Sequence, residues 1–289
     1  MKKLLLLIAL SCVGLIQSAI AQSELWSLSA NGGANNEGAI FKMNLSGSGY
    51  TRLYDFATTT LNASSPQYST PVQADNGKLY SMTSNGGLNK SGNIFSYDTV
   101  TSVFTTVYSF TGGTDGGFPY GSLIKASNGI LYGMTTAGGT TSDGVIFSFN
   151  VSTGIYTKLF DFNGSSNGGI PYGNLMQASN GFLYGLTYSG GATNDGVLFR
   201  YDISTGTFLK LVDFNGTNGR GPRASLIQAL NGKLYGTTLG GGTDGVGTIF
   251  SYDIGTNTLT KRFDFGNTTT GRYSYSTLVQ ASTGIFYGT

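Results

Sequence analysis

Residues 131–139 read LYGMTTAGG, and nearly the same string returns along the chain as LYSMTSNGG, LYGLTYSGG and LYGTTLGGG. Aligning the copies places their first residues at Leu25, Leu79, Leu131, Leu183, Leu234 and Phe286. Successive starts are therefore 54, 52, 52, 51 and 52 residues apart. A period near 50 residues is typical of propellers and other repeat arrays. We interpret the string as one strand of a repeated β-sheet blade.

Each period contains four short segments rich in β-branched and aromatic residues, which in the third copy are residues 122–126, 130–135, 145–149 and 156–162. Short segments of this kind, separated by turn residues, predict an antiparallel meander of four strands. Asn-Gly pairs such as Asn128-Gly129 separate the first two strands, and they predict type I′ hairpins in which both residues take positive φ. The fold class predicted is all-β, a β-propeller of four-stranded antiparallel blades.

Two known repeat families share these motifs. A Gly-Gly after the second strand, then an aromatic at the end of the third strand and another seven residues later, as in Phe149 and Tyr156, resembles the kelch layout. Kelch repeats usually have Trp at the later position, whereas the single Trp here is Trp26. The strings LYGTT, GGG and Gly-x-Ile-Phe are more similar to the GloVer tandem repeats of secreted bacterial proteins. That resemblance implies an exported, propeller-like protein, often with a C-terminal sorting signal, and implies no activity.

The repeat count predicts about five kelch-like blades in this chain. A buried core between blades is expected at Phe41, Phe95, Phe147, Phe199 and Phe250. The N-terminus supplies strands two to four of one blade, and residues 276–282 are expected to add its first strand and close a five-bladed ring. Residues 285–289 begin a further second strand, so an incomplete ring or a larger propeller, with a chain that continues past Thr289, stays open.

The N-terminus has the features of a secretory signal. Lys2 and Lys3 precede an apolar stretch at residues 4–10, and Ala19-Ile20-Ala21 forms a small-x-small cleavage site. We predict a signal peptide at residues 1–21 and a repeat domain at residues 22–289, secreted or displayed on the outer cell surface. A short membrane anchor is the alternative, but about 20 apolar residues are needed to span a bilayer, so no span is expected after cleavage.

Composition excludes several classes of site. The only cysteine, Cys12, lies in the signal, and the chain has no histidine, which removes Ser-His-Asp and Cys-His catalysis and His-ligated metals. The 16 Lys plus Arg become 14 without Lys2 and Lys3, against 14 Asp plus Glu, so no nucleic-acid partner is expected. We predict a monomer with no catalytic residues, no metal and no cofactor.

One set of positions in front of the first strands is a candidate ligand site. Its members are Tyr68, Tyr120, Tyr172, Arg223 and Tyr275. If the first strands line a channel, these side chains form a ring near its mouth, where tyrosine suits a glycan or a peptide and Arg223 suits an anionic ligand. The alternative is that the tyrosines pack the loops onto neighbouring blades.

Carboxylates also recur at two positions. Asp55, Asp161, Asp213 and Asp264 end the fourth strands, with Ser109 in one copy, and Glu37, Asp143 and Asp195 precede the third strands, replaced by Ser91 and Val246. Because an active site seldom needs one carboxylate in every blade, loop-ordering hydrogen bonds are the favoured interpretation. Two carboxylates could also form a glycosidase pair, although no pair stands out. A calcium site would lack a DxDxDG loop.

These features favour a secreted or cell-surface binding or adhesion module without catalytic activity, for a glycan or a peptide. The alternative function is a carbohydrate-active enzyme, a glycoside hydrolase or lyase that uses propeller-borne carboxylates. A purely structural surface repeat, which would bind no ligand, is a third possibility.

Overall fold

A computed structural model describes residues 24–57, 63–266 and 270–289 of the chain. Every regular element in these ranges is a β-strand. Within them no helix is present that is long and apolar enough to cross a membrane. The predicted signal peptide at residues 1–21 lies outside the described residues.

The first half of the chain contains thirteen strands. The first sheet is formed by β1 (Glu24–Ser29), β2 (Ala39–Asn44) and β3 (Thr51–Asp55). The next six strands are β4 (Ala63–Ser64), β5 (Val72–Gln73), β6 (Leu79–Thr83), β7 (Asn85–Gly86), β8 (Asn93–Tyr97) and β9 (Phe104–Ser109). They are followed by β10 (Ile124–Lys125), β11 (Leu131–Met134), β12 (Val145–Asn150) and β13 (Ile155–Asp161).

The second half repeats the same pattern. Its strands are β14 (Met176–Gln177), β15 (Leu183–Thr187), β16 (Val197–Asp202), β17 (Thr207–Asp213), β18 (Ile227–Gln228), β19 (Leu234–Thr237), β20 (Thr248–Asp253), β21 (Thr258–Asp264), β22 (Val279–Gln280) and β23 (Phe286–Tyr287). Four sheets have four strands, in the orders β5-β6-β8-β9, β10-β11-β12-β13, β14-β15-β16-β17 and β18-β19-β20-β21. All are antiparallel, which confirms the predicted meander; the first strand of each has only two residues and is shorter than expected.

The hairpin between the first and second strands is not the predicted type I′ turn. The Gly129 amide donates to the Ala126 carbonyl (2.9 Å) and the Ala126 amide donates to the Ile130 carbonyl (3.0 Å). Gly129 has φ of 77°, but Asn128 does not take positive φ. The geometry is that of a three-residue loop in which a glycine bulge follows a type I turn. Asn128 instead braces the hairpin, because its Nδ2 donates to the Tyr132 hydroxyl at 2.9 Å.

The core lies between neighbouring blades. Phe95, Phe147, Phe199 and Phe250 are 1%, 0%, 0% and 0% exposed, as predicted. Each meets a phenylalanine that follows the fourth strand of the preceding blade, edge to face, in the pairs Phe56–Phe95, Phe110–Phe147, Phe162–Phe199 and Phe214–Phe250. Phe41 is only half-buried, because no described blade precedes it.

The predicted completion of the first blade by residues 276–282 is wrong. In the structure β22 pairs with β23, with Val279 opposite Tyr287, while β1 pairs with β2 alone. Closing a short local loop costs less conformational entropy than pairing the two ends of the chain. The sheets at the two ends therefore leave apolar side chains in solvent, including Leu25 (52% exposed) and Val279 (65% exposed).

Candidate functional site

The double glycine that ends each second strand is held by the aspartate that ends the fourth strand. Asp161 Oδ1 accepts a hydrogen bond from the Thr140 amide, directly after Gly139, at 3.1 Å. A Cβ at Gly139 would lie 2.7 Å from the same oxygen, so the loop can approach the carboxylate only because this residue is glycine. Lys158, three residues before Asp161, also binds its carboxylate at 2.7 Å.

The same arrangement recurs in three other blades. The amides of Ala34, Ala192 and Thr243 donate to Asp55, Asp213 and Asp264, whose ion-pair partners are Arg52, Lys210 and Lys261. In the remaining copy the Ser109 hydroxyl bonds Asn93 instead (3.0 Å). These contacts bear out the loop-ordering interpretation for the aspartates of the fourth strands.

The second set of acidic positions holds the crossing loop, the segment that connects the fourth strand of one blade to the first strand of the next. Here the backbone makes the contact. The carbonyls of Asp143 and Ser91 accept the amides of Ile170 and Phe118, at 2.8 and 2.7 Å. Since Ser91 does the same as Asp143, this contact needs no carboxylate.

The crossing loops are bent sharply just before the predicted site residues. Phe118 and Ile170 have φ of 53° and 54°, which is unusual for bulky and β-branched residues, and each is followed by proline. Their carbonyls accept the amides of Thr136 and Tyr188 (both 3.2 Å), so both sides of the bend are fixed. Such fixed, strained backbone is typical of functional sites, and here it presents the following Tyr120 and Tyr172.

A chain of hydrogen bonds links successive crossing loops, two residues after each candidate site residue. Each backbone amide donates to the side-chain oxygen at the same position of the next repeat. The bonds are Thr70 to Ser122 (2.8 Å), Ser122 to Asn174 (2.5 Å), Asn174 to Ser225 (2.7 Å) and Ser225 to Thr277 (3.0 Å). We call these five residues the inter-repeat belt; it keeps the candidate side chains at fixed spacing.

All five predicted site residues line one cavity of about 780 Å³. They are joined there by belt residues and by Ser27, Leu28, Ala30 and Asn31, at and just after the end of β1. Among the described residues that line the cavity, Arg223 is the one charged residue. The rings of Tyr120 and Tyr172 meet edge to face, with centroids 5.4 Å apart. The structure thus brings together side chains from repeats about 52 residues apart.

Tyr68 differs from the other members of the set. It is 71% exposed, and it takes φ of 55° itself. The bend before proline falls at Ser65, whose amide bonds the Glu37 carbonyl as Phe118 bonds Ser91. One more residue therefore separates the bend from the belt in this loop, and the extra residue moves Tyr68 outward.

Tyr188 does not line the cavity, but it supports two residues that do, and the repeat pattern concealed this role. Its ring lies 5.5 Å from that of Tyr172, and the Arg223 guanidinium lies over both rings, at 4.7 Å from Tyr188 and 4.5 Å from Tyr172. Tyr188 belongs to LYGLTYSGG, where the other copies have Ser84, Thr136 and Leu239. The sequence signal that could have identified Tyr188 is that it differs from the residues at the same position of the other repeats. Arg223, one blade later, differs from its repeat equivalents as well.

A second cluster, at the outer side of one blade interface, is structural. The Tyr108 hydroxyl donates to the Asp115 carboxylate (2.8 Å), and its ring stacks on Tyr156, with centroids 4.1 Å apart. Burial, together with the hydrogen bond to Asp115, raises the pKa of Tyr108 above its ordinary value; burial likewise raises the pKa of Tyr156. Both tyrosines are therefore neutral packing groups at physiological pH.

Other parts of the described chain offer less. A second cavity of about 640 Å³ lies along β18 and β22, and the residues that line it include no charged or aromatic side chain. No group of three or more acidic or cysteine side chains that could hold a metal ion occurs in residues 24–57, 63–266 and 270–289.

Solved structures of propeller-like proteins are similar to this chain. The extracellular domain of BT4673 from B. thetaiotaomicron has a TM-score of 0.60 at 15% identity, covering 88% of this chain and 30% of that one. The Niastella koreensis GH74 enzyme has a TM-score of 0.59 at 14% identity (88% and 40% covered). An oligogalacturonate lyase in complex with manganese has a TM-score of 0.54 at 13% identity (91% and 66% covered). The chain spans less than two thirds of each, and the likeness concerns the fold alone.

The sequence comparison is more specific. The profile of the Gloeobacter/Verrucomicrobia repeat matches residues 13–179 and 164–289, which together cover nearly the whole chain. None of the curated proteins has a matching sequence. The family match confirms the resemblance to the GloVer repeats.

Proposed function

We propose that this chain, which belongs to the Gloeobacter/Verrucomicrobia repeat family, is a non-catalytic module that binds a glycan in the cavity of the crossing loops. The observation that carries the proposal is the convergence of Tyr68, Tyr120, Tyr172, Arg223 and Tyr275 on that cavity. Its size of about 780 Å³ lies in the range of ligand sites, about 300–1,000 Å³.

The lining supports a saccharide over a peptide. Tyrosine offers an apolar face to a sugar ring and a hydroxyl for hydrogen bonding. Ser69, Thr70, Asn174, Ser225 and Thr277 add small polar groups around the rings. Aliphatic lining is limited to Leu28, Ala30, Pro66 and Ala224, which is little surface for an apolar peptide side chain.

The proposal places the module outside the cell, secreted or on the cell surface, as a monomer. The basic and apolar N-terminus supports export, and so does the low share of charged residues, 10% of the whole chain. Sequencing the N-terminus of the protein recovered from the culture medium or from the cell surface tests this part. A protein retained in the cytoplasm with residues 1–21 intact would contradict it.

A glycan and peptide array tests the binding function. We expect the wild type to bind at least one glycan, and the Tyr120→Ala/Tyr172→Ala double variant to lose that signal because the two rings supply the apolar faces. Tyr50→Ala is the matched control, since Tyr50 is 60% exposed and lies outside the cavity. Unfolding midpoints of all variants show that they are folded. Absence of any glycan signal, or a signal unchanged in the double variant, contradicts the proposal.

The alternative function is a carbohydrate-active enzyme. None of the described residues that line the cavity is Asp or Glu, and the aspartates of the fourth strands are engaged with lysine or arginine and loop amides. These contacts favour the non-catalytic function. New reducing ends from a polysaccharide panel, abolished by a single Asp substitution, would support the enzyme instead.

A further inference from the structure

Arg223 has an unusual environment in the cavity. Its guanidinium carbon lies 4.5 Å from the centroid of Tyr172, 4.7 Å from Tyr188 and 5.5 Å from Tyr275. Three aromatic faces thus surround one cation. Aromatic faces attract a guanidinium and restrict its motion, but they do not neutralise its charge. They also do not accept hydrogen bonds from its N–H groups, which lie in the guanidinium plane.

The Arg223 guanidinium has no anionic partner in the described part of the chain. Arg223 forms no ion pair there, and its Nε is buried without any hydrogen-bond partner. By contrast, Lys158, Lys210 and Lys261 each have an aspartate within 2.9 Å. A half-buried arginine with unused donors costs free energy unless another group satisfies it.

The terminal nitrogens of Arg223 remain available to the cavity. Of its three guanidinium nitrogens, only Nε is both buried and unpartnered, and the side chain lines the cavity. The described lining contains no carboxylate that could compete for it. An anion that enters the cavity therefore meets one cation and no carboxylate among the described lining residues.

We propose that the cavity selects an acidic saccharide, and that the Arg223 guanidinium binds the carboxylate of a uronate residue while tyrosine faces contact the ring. This inference rests on the proposed glycan binding and narrows it to one class. The planar fork of arginine matches a carboxylate in a bidentate geometry. A single cation matches a single carboxylate, so one uronate residue occupies the cavity.

The repeat itself supplies a control for this site. Arg223 stands where the other repeats have Tyr68, Tyr120, Tyr172 and Tyr275, so Arg223→Tyr restores the common residue and removes the charge. Arg223→Gln removes the charge and keeps hydrogen-bonding capacity. Arg200→Gln is the matched control, because Arg200 also stacks on an aromatic ring, Phe182 at 4.5 Å, but lies outside the cavity.

Titration calorimetry with trisaccharides of galacturonate, glucuronate and mannuronate, each as the free acid and as its neutral methyl ester, tests the inference. We expect the wild type to bind at least one acid about tenfold or more tightly than its ester, as charge-assisted bidentate bonds allow. Both Arg223 variants should lose the preference and still bind the ester, and Arg200→Gln should behave as the wild type. The comparison of acid and ester in the wild type needs no variant, so it holds even if an Arg223 variant fails to fold.

Three results would overturn the inference. Equal affinity of the wild type for acid and ester would show that the carboxylate plays no role in binding. In that case the proposed function would still hold if glycan binding depends on Tyr120 and Tyr172. Tighter binding of a sulfated trisaccharide or of a peptide carboxylate would assign Arg223 to another ligand. Failure to bind any saccharide, acidic or neutral, would contradict both proposals.

Discussion

At the scale of single residues, the repeated glycines and carboxylates act together to hold the loop after each second strand. Gly139 lets the loop reach Asp161, and Asp161 holds the loop amide of Thr140. The repeat alignment identified both positions and favoured a loop-ordering role for the aspartate, but the sequence did not predict which backbone amide the aspartate binds. It depends on where the loop turns back, which is set by contacts 21 residues apart.

The first prediction concerns that glycine. Gly139→Ala should lower the free energy of unfolding more than Gly154→Ala does, although both have positive φ, 82° and 72°. A methyl at Gly154 meets no atom within 4 Å, so it costs only the left-handed conformation, about 1 kcal/mol. The clash with Asp161 adds roughly 1–3 kcal/mol at Gly139. Urea unfolding measures both, and equal losses would contradict this account.

The second prediction concerns acid stability. Hydrogen bonds from the Ser204 hydroxyl and amide lower the pKa of Asp202. A lowered pKa gives stability that is present above the ordinary pKa, about 3.9, and lost as pH falls through the lower folded value. Asn150 occupies the same place one repeat earlier and bonds the Ser152 amide. Asp202→Asn should therefore reduce the fall in the urea midpoint between about pH 4 and pH 2, and an unchanged slope would contradict it.

At the scale of elements, the blade was predictable because its strands have local signals, whereas its connections were not. Strands two to four follow from β-branched and aromatic runs. The first strand was predicted as residues 122–126, but only Ile124–Lys125 pairs with β11, because the Ser122 amide donates to the Asn174 side chain of the next repeat instead. The type I′ turn predicted from Asn-Gly was wrong for a related reason. The Asn128 side chain donates a hydrogen bond to the Tyr132 hydroxyl, a contact that the dipeptide alone does not indicate.

The third prediction concerns packing between blades. Phe199 is fully buried against Phe162 and Phe208, at centroid distances of 5.4 and 5.2 Å. Phe199→Ala should cost about 3–5 kcal/mol through lost burial and a cavity. Phe41→Ala, the same position in the first sheet, should cost about 1 kcal/mol because this side chain is only half-buried. Equal urea midpoints for the two variants would mean that the blade interfaces do not supply the core.

At the scale of the whole molecule, each repeat is tied mainly to its neighbours. The inter-repeat belt joins the crossing loops, and at the opposite end the Gln177 amide bonds the Ser127 hydroxyl and Gln228 bonds Ser179. Such nearest-neighbour linkage is typical of repeat proteins. It makes equivalent residues converge, which is why the repeat register located the candidate site. Tyr188 and the displaced Tyr68 are the exceptions. Both depart from the repeat, so aligning the repeats does not predict their positions.

The central claim is that ligand binds where the crossing loops meet. Amide hydrogen exchange of the protein with and without its tightest-binding glycan tests this most directly. We predict slower exchange on binding at residues 66–70, 120–122, 172–174, 223–225 and 275–277, with no change at the Asn-Gly turns of the opposite end. Protection confined to those turns, or to the exposed sheets at the chain ends, would contradict the claim.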